Sequence, residues 1–237
     1  MNRIHNISLA LLALLTAAMP ACMAPSPDED DGAEDESVGA APSAINAPLY
    51  SLQTSTYDVD FANGDTVDAA DIHTCDMFTN GVIRSWQLKE KNAKDFRFSR
   101  HWCRDMLSDG TLGSANDSFT HFFHDGDGTL GMSSVPLDKL PVGVRFQADR
   151  VLTISGDTVY KISDVAMLHA SAADVFAQKT GYVQAPYALG RTDDTYTLRC
   201  AAGRVMTGMG IHEKAFSPYD QSEITGVTIR CQRLLYQ

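Results

Sequence analysis

Two cysteines, Cys200 and Cys231, enclose a β-patterned segment near the end of the chain. Residues 200–211 and 223–231 are rich in alternating apolar positions, and a polar turn separates them. Alternation of this kind is typical of strands that bury one face. The segment is therefore predicted to form two paired strands that are closed at their ends by the cysteines.

Earlier parts of the chain repeat this unit. The pattern Ile-x-x-Val-x-Met-x-His at 162–169 matches Ile-x-x-Val-x-Ile-x-Cys at 224–231, and Cys75 and Cys103 close another unit of similar length. The unit ends lie about 60 to 66 residues apart, and such a period indicates a repeat architecture. The repeat favours a pseudo-threefold β architecture, either a β-prism or a trefoil-like barrel. A β-sandwich is the alternative, because any all-β chain shows some chance alternation.

The rest of the sequence from 49 to 237 also predicts strands and turns. Residues 82–88, 142–146, 151–154 and 159–162 are rich in β-branched and aromatic side chains. Asn-Gly and Gly-Asp turn signals lie between such runs, and only 171–178 has the pattern of a short helix. We predict one all-β domain over 49–237, built from disulfide-stapled antiparallel sheets.

The first 21 residues have the pattern of an export signal, with Arg3 followed by a short apolar run. Met19-Pro20-Ala21-Cys22 resembles the lipobox of bacterial lipoproteins, in which the cysteine is lipidated and becomes the mature N-terminus. The resemblance implies a lipid anchor on Cys22, and Met23 in place of Asp implies the outer membrane. Ordinary cleavage, which would release a soluble secreted protein, is the alternative.

Residues 22–48 are predicted to be a disordered tether. Seven acidic residues and no basic residue lie between Asp28 and Glu36, and large apolar residues are almost absent. Such a segment cannot bury enough surface to fold, and charge repulsion keeps it extended. The tether holds much of the net charge of −11. The chain has no cluster of basic residues of the kind that binds nucleic acid.

The cysteines are predicted to form disulfides, because export brings a chain into an oxidising compartment. Lipidation of Cys22 leaves four of the five cysteines to pair. The most local of the three connectivities is Cys75 with Cys103 and Cys200 with Cys231. Each bridge would contribute about 3.5 kcal/mol in the loop-entropy model. Zinc binding is disfavoured because the chain has no Cys-x-x-Cys spacing.

Two weak metal-site patterns occur near residue 125. His121 and His124 would face opposite sides of a strand, so they would reach one ion only if the strand breaks. Asp125 and Asp127 lie in a turn that could bind Ca²⁺ together with backbone carbonyls, although it lacks the ligand spacing of an EF-hand. No other cofactor is predicted.

The sequence lacks the motifs that identify common catalytic sites, including Gly-x-Ser-x-Gly, the P-loop and the dinucleotide fingerprint. An envelope hydrolase could still use His169 and His212, or the histidines at 121 and 124. The aromatic residues that could stack on sugar rings are Trp86, Trp102, Tyr187, Tyr196 and Tyr219.

The segment Asp95-Phe96-Arg97-Phe98, closed by Cys103, is similar to the Asp-Arg-x-Trp-x-Phe-x-Cys motif of dermatopontin-like proteins. Phe96 replaces the motif's Arg, its Trp is absent and the cysteine is displaced. The resemblance implies a secreted, disulfide-bonded binder of glycan or matrix. The sequence thus favours a surface-tethered lipoprotein with a noncatalytic domain that binds polysaccharide or another envelope component. The alternatives are an envelope hydrolase and a purely structural envelope protein.

Overall fold

A computed structural model describes residues 49–53, 58–62, 72–90, 96–122, 129–152, 156, 158–191, 193–215 and 222–237. The strands in chain order are β1 (Tyr50–Leu52), β2 (Asp58–Ala62), β3 (His73–Thr74), β4 (Gly81–Glu90), β5 (Phe96–Met106), β6 (Leu112–Phe122), β7 (Thr129–Ser134), β8 (Leu140–Leu152), β9 (Thr158–Ala170), β10 (Val183–Gln184), β11 (Asp194–Arg199), β12 (Arg204–Ala215) and β13 (Ser222–Tyr236). One short helix, α1 (Ala172–Phe176), lies between β9 and β10. The prediction of an all-β chain with a short helix after residue 170 is confirmed.

The strands form three antiparallel sheets, each built on a central hairpin. The orders are β6-β5-β4-β7, β10-β9-β8-β11 and β1-β13-β12-β3, with β2 also paired to β13. Strands β4, β8 and β12 contact one another, so the three sheets enclose a shared core. The fold is a β-prism, which confirms the pseudo-threefold prediction and excludes the trefoil-like barrel and the β-sandwich.

The three central hairpins share one irregular hydrogen-bonding register. In each, the first strand has one extra residue (Arg84, Val142 or Thr207), and five consecutive cross-strand pairs follow. The second strand then has an extra residue of its own (Arg97, Ser163 or Thr225). An extra residue reverses the inward and outward alternation of the strand beyond it. This register explains the Ile-x-x-Val spacing in the sequence, because both residues face the core across the extra residue.

Hydrogen bonds between the repeats close the prism into a ring. The carbonyl oxygens of Arg84, Val142 and Thr207 accept from a backbone N–H that precedes the next hairpin. The donors are Val135 to Arg84 (2.8 Å), Cys200 to Val142 (2.9 Å) and Cys75 to Thr207 (2.9 Å). The extra residues therefore have a structural use, since each turns a carbonyl away from its own sheet toward the neighbouring repeat.

Equivalent positions of the hairpins form the layers of the core. Trp86, Val144 and Met209 occupy one such set, and each has 0% of its surface exposed. Two residues further along each strand, the set is Leu88, Phe146 and Ile211, also buried. Trp86 fits because its indole N–H donates to the Ser99 hydroxyl at 2.7 Å, which satisfies the one polar group of the ring.

The two disulfides join Cys75 to Cys103 and Cys200 to Cys231, with Cα–Cα distances of 5.5 and 5.7 Å. This is the pairing predicted from loop size. Each bridge links a cysteine that precedes a hairpin to a cysteine in its second strand, whose cross-strand pair lies just before the extra residue of the first strand. The middle repeat has no cysteine at either place.

Candidate functional site

Val135 and His169 occupy the disulfide positions of the middle repeat. The Val135 N–H makes the same inter-repeat hydrogen bond as those of Cys75 and Cys200. His169 pairs with Pro141 immediately before the extra residue, as Cys103 pairs with Ile83 and Cys231 with Met206. An imidazole and an isopropyl group thus take the place of a covalent bond at this corner of the prism.

A cavity of about 370 Å³ opens at this corner, and we call it the His169 pocket. Its polar lining residues are Lys139, His169, Ser171, Asp174 and Lys179, and its less polar ones are Ala170, Gly181, Tyr182 and Val183. The cavities beside the disulfide residues Cys75 and Cys200 measure about 250 and 10 Å³. A cavity of some 300 Å³ or more, with an apolar wall and a few polar groups, is typical of a small-ligand site.

Helix α1 places the acidic side of the pocket. Ser171 caps the helix, since its hydroxyl oxygen accepts from the Asp174 N–H at 3.1 Å. The same hydroxyl donates to Oδ2 of Asp174 at 2.7 Å, and Lys179 Nζ donates to Oδ1 at 2.6 Å. These two donors lower the pKa of Asp174, so the carboxylate stays ionised. Both of its oxygens already accept a hydrogen bond.

The chain reverses after α1 and brings an aromatic wall to the pocket. Gln178 has a left-handed φ of 56°, which ends the helix and returns Lys179 toward Asp174. Tyr182 follows with 38% of its surface exposed. Arg199 of β11 lies over the ring at 5.0 Å from its centroid and donates to the Thr180 carbonyl. Together these contacts hold the tyrosine at the rim of the pocket.

His169 is the most enclosed polar group of the pocket. It is 6% exposed, and its Nδ1 atom is buried without a hydrogen-bond partner. Burial lowers its pKa from 6.5, the nearby Lys139 lowers it further, and Asp138 opposes this in part. The imidazole is therefore neutral at pH 7, and the ring edge away from Nδ1 is the part available to a ligand.

This burial predicts a pH-dependent loss of stability. Because the folded state holds the His169 pKa below 6.5, the unfolded chain binds more protons as the pH falls below that value, and stability decreases. The effect is absent above pH 6.5 and complete below the folded-state pKa. A His169→Leu variant should lose less stability than the wild type between pH 7.5 and 5 in urea titrations. Parallel losses in the two proteins would contradict this account.

The structure separates the aromatic residues predicted from the sequence. The prediction of Trp86 as a ligand residue is wrong, because its side chain is fully buried against Ser99. Trp102, Tyr187 and Tyr196 are partly exposed, but none of them lines the His169 pocket. Trp102 lies beside Arg100 on the outer face of β5, 5.4 Å from ring centroid to guanidinium. Tyr219 lies outside the described residues.

The predicted metal residues are not tested by the described structure. Asp125, Asp127 and His124 lie outside the described residues, and His121 is described only as part of β6. Among the residues that are described, no cluster of three or more His, Cys, Asp or Glu side chains could hold a metal.

The two histidines considered for hydrolysis do not share a site. His212 lies on β12 at the opposite end of the five-pair ladder from Cys231, whose position His169 matches. That offset corresponds to roughly 15–20 Å along a strand. His212 is 4% exposed, and its Nε2 is 2.8 Å from the Thr228 hydroxyl in the core. The alternative of a hydrolase that uses His169 and His212 together is therefore disfavoured, because the two imidazoles lie too far apart to act on one substrate bond.

No protein-family model matches this sequence, and no curated protein matches it significantly. Solved structures do match the fold. The mosquito-larvicidal Cry4Aa toxin from Bacillus thuringiensis superposes with a TM-score of 0.50 at 8% identity, over 77% of this chain and 33% of the toxin. The likeness is one of fold alone. This chain thus corresponds to a third of the toxin's length.

Two plant lectins match with lower scores. Calystegia sepium agglutinin gives a TM-score of 0.42 at 10% identity, over 76% of this chain and 99% of the agglutinin. A mannose-specific jacalin-related lectin from Morus Nigra, in complex with mannose, gives 0.38 at 9% identity, over 75% and 94% of the two chains.

Sequence reasoning found His169 but missed the residues around it. Lys139, Lys179 and Tyr182 belong to no motif, and their separation along the chain hides their proximity. The available signal was the alignment of His169 with Cys231. The other two repeats have a buried, disulfide-bonded cysteine at this position. A polar residue there indicates that the middle repeat lacks the disulfide and that the position has a different role.

Proposed function

We propose that this chain is a noncatalytic binding protein of the bacterial envelope, which holds a glycan in the His169 pocket. The observation that carries the proposal is the corner without a disulfide, where an enclosed imidazole, two lysines and an exposed tyrosine surround one cavity. A sugar ring has apolar C–H faces and a rim of hydroxyl groups. Tyr182 and Val183 suit the faces, and the polar lining suits the rim.

The geometry of the pocket favours binding over catalysis. A nucleophilic serine needs a hydrogen bond to a general base, which activates it. The Ser171 hydroxyl instead donates to Asp174 and caps α1. Within the described lining of the pocket, no serine–histidine hydrogen bond is present that would support the hydrolase alternative.

The glycan proposal is tested by binding the purified full chain to a panel of envelope polysaccharides, with Ca²⁺ and again with chelator. Saturable binding supports the proposal, and loss with chelator would assign the ligand to the Asp125 and Asp127 turn instead. Tyr182→Ala should weaken binding by about 10-fold through loss of the ring contact. Tyr187→Ala is the matched control, because Tyr187 does not line the pocket. Weakening by the control alone would place the site elsewhere.

We also propose a lipid anchor at Cys22 that tethers the domain to the outer membrane through residues 23–48. The leader, the lipobox-like sequence and the acidic tether support it. No helix in the described part of the chain is long and apolar enough to span a membrane.

The anchor predicts that Cys22→Ala moves the protein from the membrane fraction to the soluble fraction. A single hydrophobic segment is removed with the leader, and acyl chains on Cys22 would then supply the membrane affinity. Fractionation followed by detection of the folded domain provides the measurement. A variant that stays in the membrane fraction would contradict lipidation at this cysteine.

A further inference from the structure

The lining of the His169 pocket is rich in hydrogen-bond donors and poor in available acceptors. Lys139 and Lys179 each carry three N–H donors; among the described contacts, Lys139 pairs with Asp138 and Lys179 pairs with Asp174. The carboxylate of Asp174 lines the pocket; its two oxygens accept from Ser171 and Lys179, and each keeps one further lone pair, so the free donors of the two lysines outnumber its free acceptor sites. A ligand in this pocket is therefore met mainly by donors.

The charged side chains around the pocket also favour an anionic ligand. Arg199 lies over the Tyr182 ring and donates to the Thr180 carbonyl, so it places a positive charge beside the tyrosine that lines the pocket. Asp138 lies at the outer edge, with 66% of its side chain exposed, where solvent screens it. Three basic side chains (Lys139, Lys179 and Arg199) and two carboxylates (Asp138 and Asp174) therefore lie at this corner, which leaves a small positive excess.

His169 extends this set of donors into the enclosed part of the cavity. Its Nδ1 is buried without a partner, so the remaining ring nitrogen is the one that can meet a ligand. Either tautomer of the neutral ring leaves Nδ1 without a partner, and the tautomer that is protonated at Nε2 donates to a ligand. Lys139, Lys179 and His169 approach the cavity from three different segments, which suits an acceptor with several lone pairs.

We infer that the His169 pocket selects an anionic sugar residue, one that bears a carboxylate or sulfate group, over a neutral sugar. The inference rests on the proposed glycan-binding function and names the ligand class of that same site. The anionic group accepts from Lys139, Lys179 and His169, while Tyr182 contacts the ring. A carboxylate or sulfate group is favoured here because it only accepts hydrogen bonds. Each hydroxyl group of a neutral sugar also donates one, so it needs an acceptor in the protein as well.

The test uses the full chain and three probes of matched length, measured by calorimetry at physiological salt. The probes are an oligogalacturonate, its fully methyl-esterified form and a sulfated neutral oligosaccharide. Esterification removes the charge and keeps the ring, so the acid should bind at least about 10-fold more tightly than the ester. Binding of the sulfated probe alone would assign the anion as sulfate, which supports the anionic class and excludes the uronic acid.

Variants connect the selectivity to the pocket. Lys139→Gln should reduce the preference for acid over ester by about 10-fold and change binding of the ester little. Lys89→Gln on β4 is the matched control, because it removes the same charge from a different sheet. An equal loss with Lys89→Gln would show that the charge effect is nonspecific and would overturn the assignment.

The outcomes separate this inference from the proposed function. Equal affinity for acid and ester, with both weakened by Tyr182→Ala, would retain a glycan site and overturn its anionic selectivity. Failure of all glycans, including those of the panel, would overturn the proposed function and the inference together.

Discussion

Replacing both Val135 and His169 with cysteine is expected to produce a third disulfide and to stabilise the fold by about 3.5–4 kcal/mol relative to a variant with Val135→Cys and His169→Ser, which cannot form it. The two positions repeat those of the native bridges, whose Cα–Cα distances are 5.5 and 5.7 Å. The new loop is slightly longer than the native ones, which span 28 and 31 residues, so the entropic gain is at least as large.

The measurement compares urea unfolding of the oxidised double variant with that of the Val135→Cys, His169→Ser variant, together with a count of free thiols in each. Both proteins lack the buried Val135 side chain and keep the two native disulfides, so the difference between them reports the new bridge. The reference variant carries only one introduced thiol, so it cannot form the third bridge. Two free thiols in the folded double variant would show that the middle corner is not equivalent to the other two.

The same variant bears on function. Because the bridge replaces His169, the oxidised protein should lose preference for an anionic sugar while becoming more stable. The substitution that raises the stability of the fold at this corner would then lower its affinity for the anionic ligand. A natural chain that keeps an enclosed, unpartnered imidazole where its other repeats have disulfides is consistent with such a trade.

Trp86→Ala is expected to lower the free energy of unfolding by about 3–5 kcal/mol. The side chain is 0% exposed and sits in the core layer shared with Val144 and Met209. Truncation would leave a cavity where three sheets meet, and it would also remove the donor to the buried Ser99 hydroxyl. The cavity and the lost hydrogen bond both destabilise the folded state.

Chemical unfolding monitored by circular dichroism measures this loss, and Trp102→Ala is the matched control. Trp102 is partly exposed on the outer face of the same sheet, so its truncation should cost less than half as much. A cost for Trp102→Ala equal to that for Trp86→Ala would contradict the assignment of Trp86 to the shared core.

The sequence was sufficient to predict the repeat, the strand content and the disulfide pairing. These properties are local, because side-chain alternation reports which face of a strand is buried and neighbouring cysteines form the shorter loops. The equivalence of His169 and Cys231 was also visible, since both follow an Ile-x-x-Val pattern by the same spacing. The sequence did not reveal that His169 occupies a disulfide position, because the residue at the partner position is Val135, and a valine gives no sign of a disulfide site.

The exposure of individual aromatic residues was not predictable. Trp86 and Trp102 lie on neighbouring strands of the same sheet, but they point to opposite faces. An extra residue at Arg84 or Arg97 shifts the alternation, and such bulges have no reliable sequence signature. The assignment of Trp86 as a ligand residue failed for this reason.

The sequence by itself determined that this chain builds three β units and closes two of them with disulfides. Only the tertiary structure decided that the third corner opens into a pocket, and that Lys139, His169 and Lys179 line it together. The physical reason is that strand pairing and core burial leave a periodic record along the chain. A pocket forms instead from irregular segments, here the turn before β8 and the chain around α1, whose proximity depends on how the three sheets close around their shared core.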